Sequence, residues 1–107
     1  LGIAYKKNVD DLRESPAIQL INILKKEKKY LINFYDPYIR KIQSRNKQFT
    51  NIKYFELNYT KLNKFDLVAI ITDHDIINYK KILKHSKKII DCRGKFFNIN
   101  SKKVIQS

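Results

Sequence analysis

The chain reads as short apolar runs separated by charged connectors, and the spacing of the apolar residues changes from run to run. Leu1-Gly2-Ile3-Ala4-Tyr5 is continuous, is bounded by Lys6 and Lys7, and has the length of a buried strand. Ser15 followed by Pro16 marks a helix start: serine is a preferred N-cap, and proline suits the first helical position, where its missing N–H costs nothing. Ala17, Ile18, Leu20, Ile21, Ile23 and Leu24 then recur at helical spacing until the pattern gives out in the lysine-rich stretch 25–29. Leu31–Tyr35 returns to strand formers and stops at Asp36-Pro37, where the proline restricts the residue before it. These three pieces make a strand–helix–strand unit.

From Tyr38 to Asn51 the chain is polar and irregular, a surface excursion with at most one short helix. Ile52–Leu57 predicts a short edge strand and Tyr59–Asn63 one helical turn. Phe65–Thr72 (FDLVAIIT) is the clearest buried strand, continuous and rich in branched residues, as a parallel strand covered on both faces should be. Asp75 stands where a helix over Ile76–Lys84 needs its N-cap, Lys88–Asp91 is the last strand, and the polar tail from Asn98 is expected to fray. The pattern therefore predicts an α/β fold of three layers. Its mainly parallel sheet comprises Leu1–Tyr5, Leu31–Tyr35, Phe65–Ile71 and Lys88–Asp91, joined by right-handed crossovers.

Composition narrows the function classes. At 107 residues the chain is expected to be a single domain, and no apolar run approaches the roughly 20 residues of a membrane helix. No membrane partner and no secretory signal are predicted; one cysteine, Cys92, rules out an internal disulfide framework and makes a reducing cytoplasm the expected compartment. Cys92 itself reads as a small, largely buried residue. There is no methionine, so a chain opening Leu-Gly-Ile inside a strand reads as a piece of a longer protein. The formal charge of +13 would suit nucleic acid. Against that, lysine greatly outnumbers arginine and the basic pairs are scattered at helix ends and loops, whereas a nucleic-acid face is clustered. An anionic small molecule fits the same charge.

The candidate chemistry lies at strand ends, where ligands bind in open α/β sheets. The loop after the first strand holds Lys6, Lys7, Asp10, Asp11, Arg13 and Glu14. Asp36 ends the second strand where a ribose-binding carboxylate can sit, but the glycine turn such a site requires is absent, since Gly2 and Gly94 are the only glycines; an Asx turn is the simpler reading. Asp73-His74-Asp75 could suggest a metal or a general base, but no second histidine is near, and a loop-fixing role is favoured; no metal site is predicted. Arg93-Gly94, at the end of the last strand, is well placed to fork onto a phosphate or carboxylate.

Three ordered stretches, AYKKNVDDLRESPA, ITDHD and IIDCRGK, resemble motifs of the C-terminal domain of the UDP-glucose/GDP-mannose dehydrogenase family, and among its members most resemble the bacterial UDP-N-acetylglucosamine 6-dehydrogenases, with the UDP-N-acetylmannosamine and UDP-glucose enzymes as alternatives. The resemblance implies a Rossmann-like UDP-sugar-binding domain, residues 1–107, of an NAD-dependent enzyme serving surface polysaccharide synthesis. Such an enzyme oxidises the sugar's primary alcohol to a carboxylate through a thiohemiacetal and thioester on a cysteine. That cysteine and the main NAD-binding domain belong to parts of the family absent from these residues, so no catalytic residue is assigned and the domain alone should be inactive. Carried over position by position, Tyr5, Lys6 and Arg93 correspond to UDP-sugar contacts and Arg13 to a residue reaching NAD, with Asp10, Asp11 and Glu14 holding Arg13; the full-length enzyme is expected to be a homo-oligomer. The competing classes are a standalone module for anionic nucleotides and a basic nucleic-acid-binding domain, which the coding sequence upstream of Leu1 would separate.

Overall fold

The computed structural model describes residues 1–42 and 52–107, so part of the expected surface excursion lies outside the described residues. In chain order the elements are α1 (Pro16–Lys26), β1 (Asn33–Phe34), β2 (Lys53–Tyr54), a 3-10 helix (Tyr59–Lys64), β3 (Val68–Ile70), α2 (Tyr79–His85), β4 (Ile89–Asp91) and β5 (Val104–Gln106). β1 pairs with β2, and β3, β4 and β5 pair in that order; every one of these pairings is parallel.

The opening segment lies between the two sets. The Leu1 nitrogen donates to the Ala69 carbonyl at 2.6 Å and Ile71 N–H donates to the Leu1 carbonyl at 2.9 Å, while on the other side Gly2 N–H donates to the Tyr35 carbonyl at 2.8 Å. The order across the fold is thus β2, β1, the Leu1–Ile3 segment, β3, β4, β5. The segment occupies the place expected of a strand over Leu1–Tyr5 but does not form one: regular pairing does not continue through it, and the chain bends from Ala4 onward. Gly2 has φ +79°, and a Cβ there would lie 2.0 Å from the Thr72 carbonyl oxygen, so the backbones cross at a contact only glycine allows.

Neighbouring residues along a strand face opposite sides of a sheet, and here they enter different cores. Ile70 belongs to a cluster with Leu62, Val68, Ile77, Ile82, Ile89 and Phe96, and Tyr35 packs against it. Ile71 packs against a second cluster of Ile3, Ala4, Ala17, Phe34 and Ile39. Ile82 brings α2, and Leu62 the 3-10 helix, to the first face, and Ala17 brings α1 to the second. These are the three layers the sequence predicts.

Three local expectations are corrected. The second helix starts at Tyr79, capped by Asn78, whose side chain accepts from Lys81 N–H; Asp75 is not the cap. The tail does not fray through its length, because Val104–Gln106 adds a parallel edge strand to β4, and Lys103 Nζ donates to the Leu83 and Lys84 carbonyls at the end of α2. Cys92 is exposed, because the chain leaves β4 after the buried Asp91 and turns outward.

Candidate functional site

The first segment is held by buried side chains where a strand would be held by backbone. Asp36, fully buried, accepts from Ile3 N–H at 2.9 Å and Ala4 N–H at 3.1 Å through Oδ2, and from Tyr38 N–H at 2.8 Å through Oδ1. The last bond is the Asx turn predicted at Asp36-Pro37. Ser15 caps α1 by position but not by side chain: its hydroxyl donates to the Ile3 carbonyl. The Thr72 hydroxyl donates to the Ala4 carbonyl at 2.6 Å. Beyond these contacts the chain turns out of the sheet, and Tyr5, Lys6 and Lys7 are exposed, with Tyr5 N–H donating to the Asp11 carbonyl at 2.7 Å.

His74 sits under that turn, fully buried. Its Nδ1 accepts from Asn8 N–H at 2.8 Å, so the ring proton lies on Nε2, which donates to Asp36 Oδ2 at 2.8 Å. Both ring nitrogens are thereby used, and among the described residues no group of three or more His, Cys, Asp or Glu side chains could hold a metal ion. Asp75 faces Asn8 in a reciprocal pair, Asn8 Nδ2 to Asp75 Oδ2 at 2.8 Å and Asp75 N–H to Asn8 Oδ1 at 3.0 Å. The Asn8 amide, helped by the Lys7 ammonium 3.8 Å from Oδ1, holds the Asp75 carboxyl below its ordinary range.

Arg93 rises from the neighbouring strand end. Asp91, fully buried, accepts from Arg93 and Lys95 N–H at 3.1 Å through Oδ1 and from Phe96 N–H at 2.8 Å through Oδ2, which shapes the turn that carries the arginine. Gly94 completes that turn with φ +71°. Arg93 Nε donates to the Ile71 carbonyl at 2.7 Å and lies 3.9 Å from Asp73, which Lys95 also approaches at 3.7 Å. Lys95 in turn lies over the Tyr79 ring, 4.7 Å from its centroid, and the Tyr79 hydroxyl donates to the His74 carbonyl.

Tyr5 and Lys6 follow the opening segment and Arg93 follows β4, so the two groups stand at carboxyl ends on either side of β3, with the Asp73–Asp75 loop that leaves β3 between them. The arrangement offers a half-exposed ring, an ammonium and a guanidinium anchored at Nε, groups suited to a planar base or sugar and to phosphate oxygens. Arg13 stands apart, in the loop before α1. Its guanidinium grips Asp11 through Nε and a terminal nitrogen at 2.9–3.2 Å, and those bonds hold the Asp11 carboxyl down to about 2. Of the three carboxylates expected to hold Arg13, Asp11 supplies these bonds. Sequence reasoning passed over Asn8, Thr72 and Asp91. A signal for Asp91 existed: an aspartate at a strand end followed by a glycine-containing turn is a natural acceptor for the turn's N–H groups. None existed for Thr72, whose partner is 68 residues away.

Comparison with known proteins gives the site a context. Residues 1–98 match the UDP-glucose/GDP-mannose dehydrogenase family, UDP binding domain. The chain is 32% identical over 109 residues to the UDP-glucose 6-dehydrogenase of Rickettsia prowazekii (strain Madrid E), covering 97% of this chain and 25% of that protein. It is 35% identical over 74 residues to the UDP-N-acetyl-D-mannosamine dehydrogenase of Campylobacter jejuni, covering 69% of this chain and 18% of the relative. It is 28% identical over 98 residues to the NDP-N-acetyl-D-galactosaminuronic acid dehydrogenase of Ralstonia solanacearum, covering 87% and 21%. The chain thus spans about a quarter or less of the length of these relatives. With nearly its whole length matched, on a parallel α/β fold with basic groups at its strand ends, the chain belongs to the UDP-glucose/GDP-mannose dehydrogenase family, as its UDP binding domain.

Proposed function

We propose that this domain forms the nucleotide-sugar wall of the active cleft in an NAD-dependent UDP-sugar 6-dehydrogenase, one domain of a longer chain. The observation that supports the reading is the placement of Tyr5 and Lys6 after the opening segment and of Arg93 after β4, both on segments bonded to the Asp73–Asp75 loop region at the carboxyl end of β3, in a chain whose relatives are named as dehydrogenases of nucleotide sugars. Lys6 places an ammonium for pyrophosphate oxygens, Arg93 a guanidinium for a phosphate or sugar oxygen, and Tyr5 a ring for van der Waals contact.

Among the described residues no dinucleotide site is built. Gly2 is a backbone crossing filled by Thr72, and Gly94 belongs to the Arg93 turn, so neither is part of a phosphate-cradling glycine loop. NAD, which supplies the oxidation when bound, belongs to the remainder of the protein, and Arg13 is the single contact proposed from this domain. The relatives' names divide between glucose and amino sugars. UDP-N-acetylglucosamine is the substrate proposed from the resemblance of the three stretches taken together, with UDP-N-acetylmannosamine and UDP-glucose as the comparison arms.

The test is NADH formation by the full-length protein with each UDP-sugar. Arg93→Ala should raise the KM for the sugar nucleotide about ten- to a hundredfold, the loss of one charge-assisted contact of about 1.5–3 kcal/mol. Arg13→Ala should raise the KM for NAD and leave that for the sugar nucleotide within about threefold. No turnover of any UDP-sugar, or duplex DNA bound more tightly than UDP, overturns the reading.

A further inference from the structure

The Asp73–Asp75 loop carries no substrate contact in the reading above, yet its three residues bond to both segments that do. On one side His74 holds the opening turn at each end: Nδ1 takes the Asn8 N–H, and Nε2 meets the Asp36 oxygen that already holds the Ile3 and Ala4 N–H groups. Tyr5, Lys6 and Lys7 lie between those two points. Asn8 has φ +64°, a left-handed geometry that asparagine tolerates better than most residues, and it is locked there by two side-chain bonds with Asp75 across 67 positions of sequence. On the other side Asp73 faces both Arg93 and Lys95.

We propose that the Asp73–Asp75 loop is a positioning hub that sets the distance and angle between Lys6 and Arg93 for a nucleoside diphosphate, through Asn8 on one side and Asp73 on the other. This rests on the assignment of Lys6 and Arg93 as substrate contacts. The physical gain is pre-organisation. Lys6 is exposed and long, so an unfixed turn beneath it would have to be ordered when the pyrophosphate binds, at the expense of affinity. Two bonds between an exposed asparagine and an exposed aspartate add little to folding stability, so an effect concentrated in ligand binding distinguishes the hub from a merely structural contact.

Asn8→Gly is the sharp variant, because glycine accepts the left-handed backbone without strain and only the two side-chain bonds to Asp75 are lost. In the full-length protein, UDP affinity measured by calorimetry should fall about tenfold, with the melting temperature nearly unchanged. In a Lys6→Ala background the same change should cost less than about threefold, since the hub then has no lysine to place. Asp73→Asn should behave likewise towards Arg93→Ala. Unchanged affinity in Asn8→Gly, or an equal loss with and without Lys6, overturns the hub. If the wild-type protein binds no UDP, the function proposed above fails and the hub is judged on hydrogen exchange of the 5–8 amides: faster exchange in Asn8→Gly supports it, and unchanged exchange overturns it.

Discussion

The two faces of the sheet are closed by different chemistry. Behind β3 and β4, a cluster of Leu62, Val68, Ile70, Ile77, Ile82, Ile89 and Phe96 packs beside a regular ladder, from Val68 opposite Ile89 through Asp91 opposite Gln106. Beside the opening segment the apolar cluster is smaller, and the buried residues at its edge are Ser15, Asp36, Thr72 and His74, each bonded to a backbone group between Ile3 and Asn8 or to its holder. A ladder forms from many sequences with the right apolar pattern, because its bonds are all backbone. A segment held by side chains needs particular ones, and in return it can leave the plane of the sheet at a chosen residue. Here that residue is Tyr5, where the candidate site begins.

The opening segment is the more vulnerable of the two regions. Gly2→Ala should be the most damaging single change, because its Cβ would meet the Thr72 carbonyl oxygen at 2.0 Å and the Thr72 Cβ at 2.8 Å, and a carbonyl has no flexible end to yield. With φ +79° disfavoured for alanine as well, a loss above about 4 kcal/mol in urea unfolding is expected. A loss below about 1 kcal/mol would mean that the crossing relaxes and the segment is not fixed as described.

Conservative exchanges then separate the two faces. Asp36→Asn keeps the shape but replaces an acceptor by a donor, facing either the Ile3 and Ala4 N–H groups and His74 or the Tyr38 N–H. Leaving buried donors without partners should cost about 2–4 kcal/mol. Ile82→Val removes one methylene from a fully buried site and should cost about 0.5–1.5 kcal/mol. If the two urea midpoints shift equally, the polar network is no more specific than the apolar packing, and the contrast between the faces fails.

This contrast also explains what could be read from the sequence. Apolar runs located β3, β4 and α1, since burial on both faces, or one stripe at helical spacing, is written in the residues themselves. Leu31–Tyr35 was placed by the same signal, although regular pairing is confined to Asn33–Phe34. The polar residues that shape the site gave almost no local signal. His74 meets a residue 38 positions away and Thr72 one 68 away, and partners at that distance come from topology, which periodicity does not encode. Val104–Gln106 is illegible for a related reason: two apolar residues in a polar tail look like fraying until β4 offers them an edge. Asp75 looks like the cap in the sequence, but Asn78, three residues on, serves the same chemistry with the better register.

A pH-dependent effect concerns a polar exception on the apolar face. Asp91 ends β4 without exposed surface; burial pushes its carboxyl up, and the N–H groups of Phe96, Lys95 and Arg93 more than offset that, so its pKa lies below the ordinary carboxylate value. A depressed folded pKa means that the unfolded chain takes up the proton first. The stabilisation is therefore present above about pH 4, the unfolded value, and is lost as the pH falls from there through the folded pKa. Asp91→Asn keeps the shape and removes the charge, and at pH 7 it should cost about 1–2 kcal/mol in urea unfolding. As the pH is lowered past 4 the wild-type protein should lose its advantage, and the two unfolding curves should converge. A difference as large at pH 3 as at pH 7 would show that the charge of the carboxylate contributes nothing, and that its two acceptor oxygens, one of which asparagine replaces by a donor, are what hold the turn that carries Arg93.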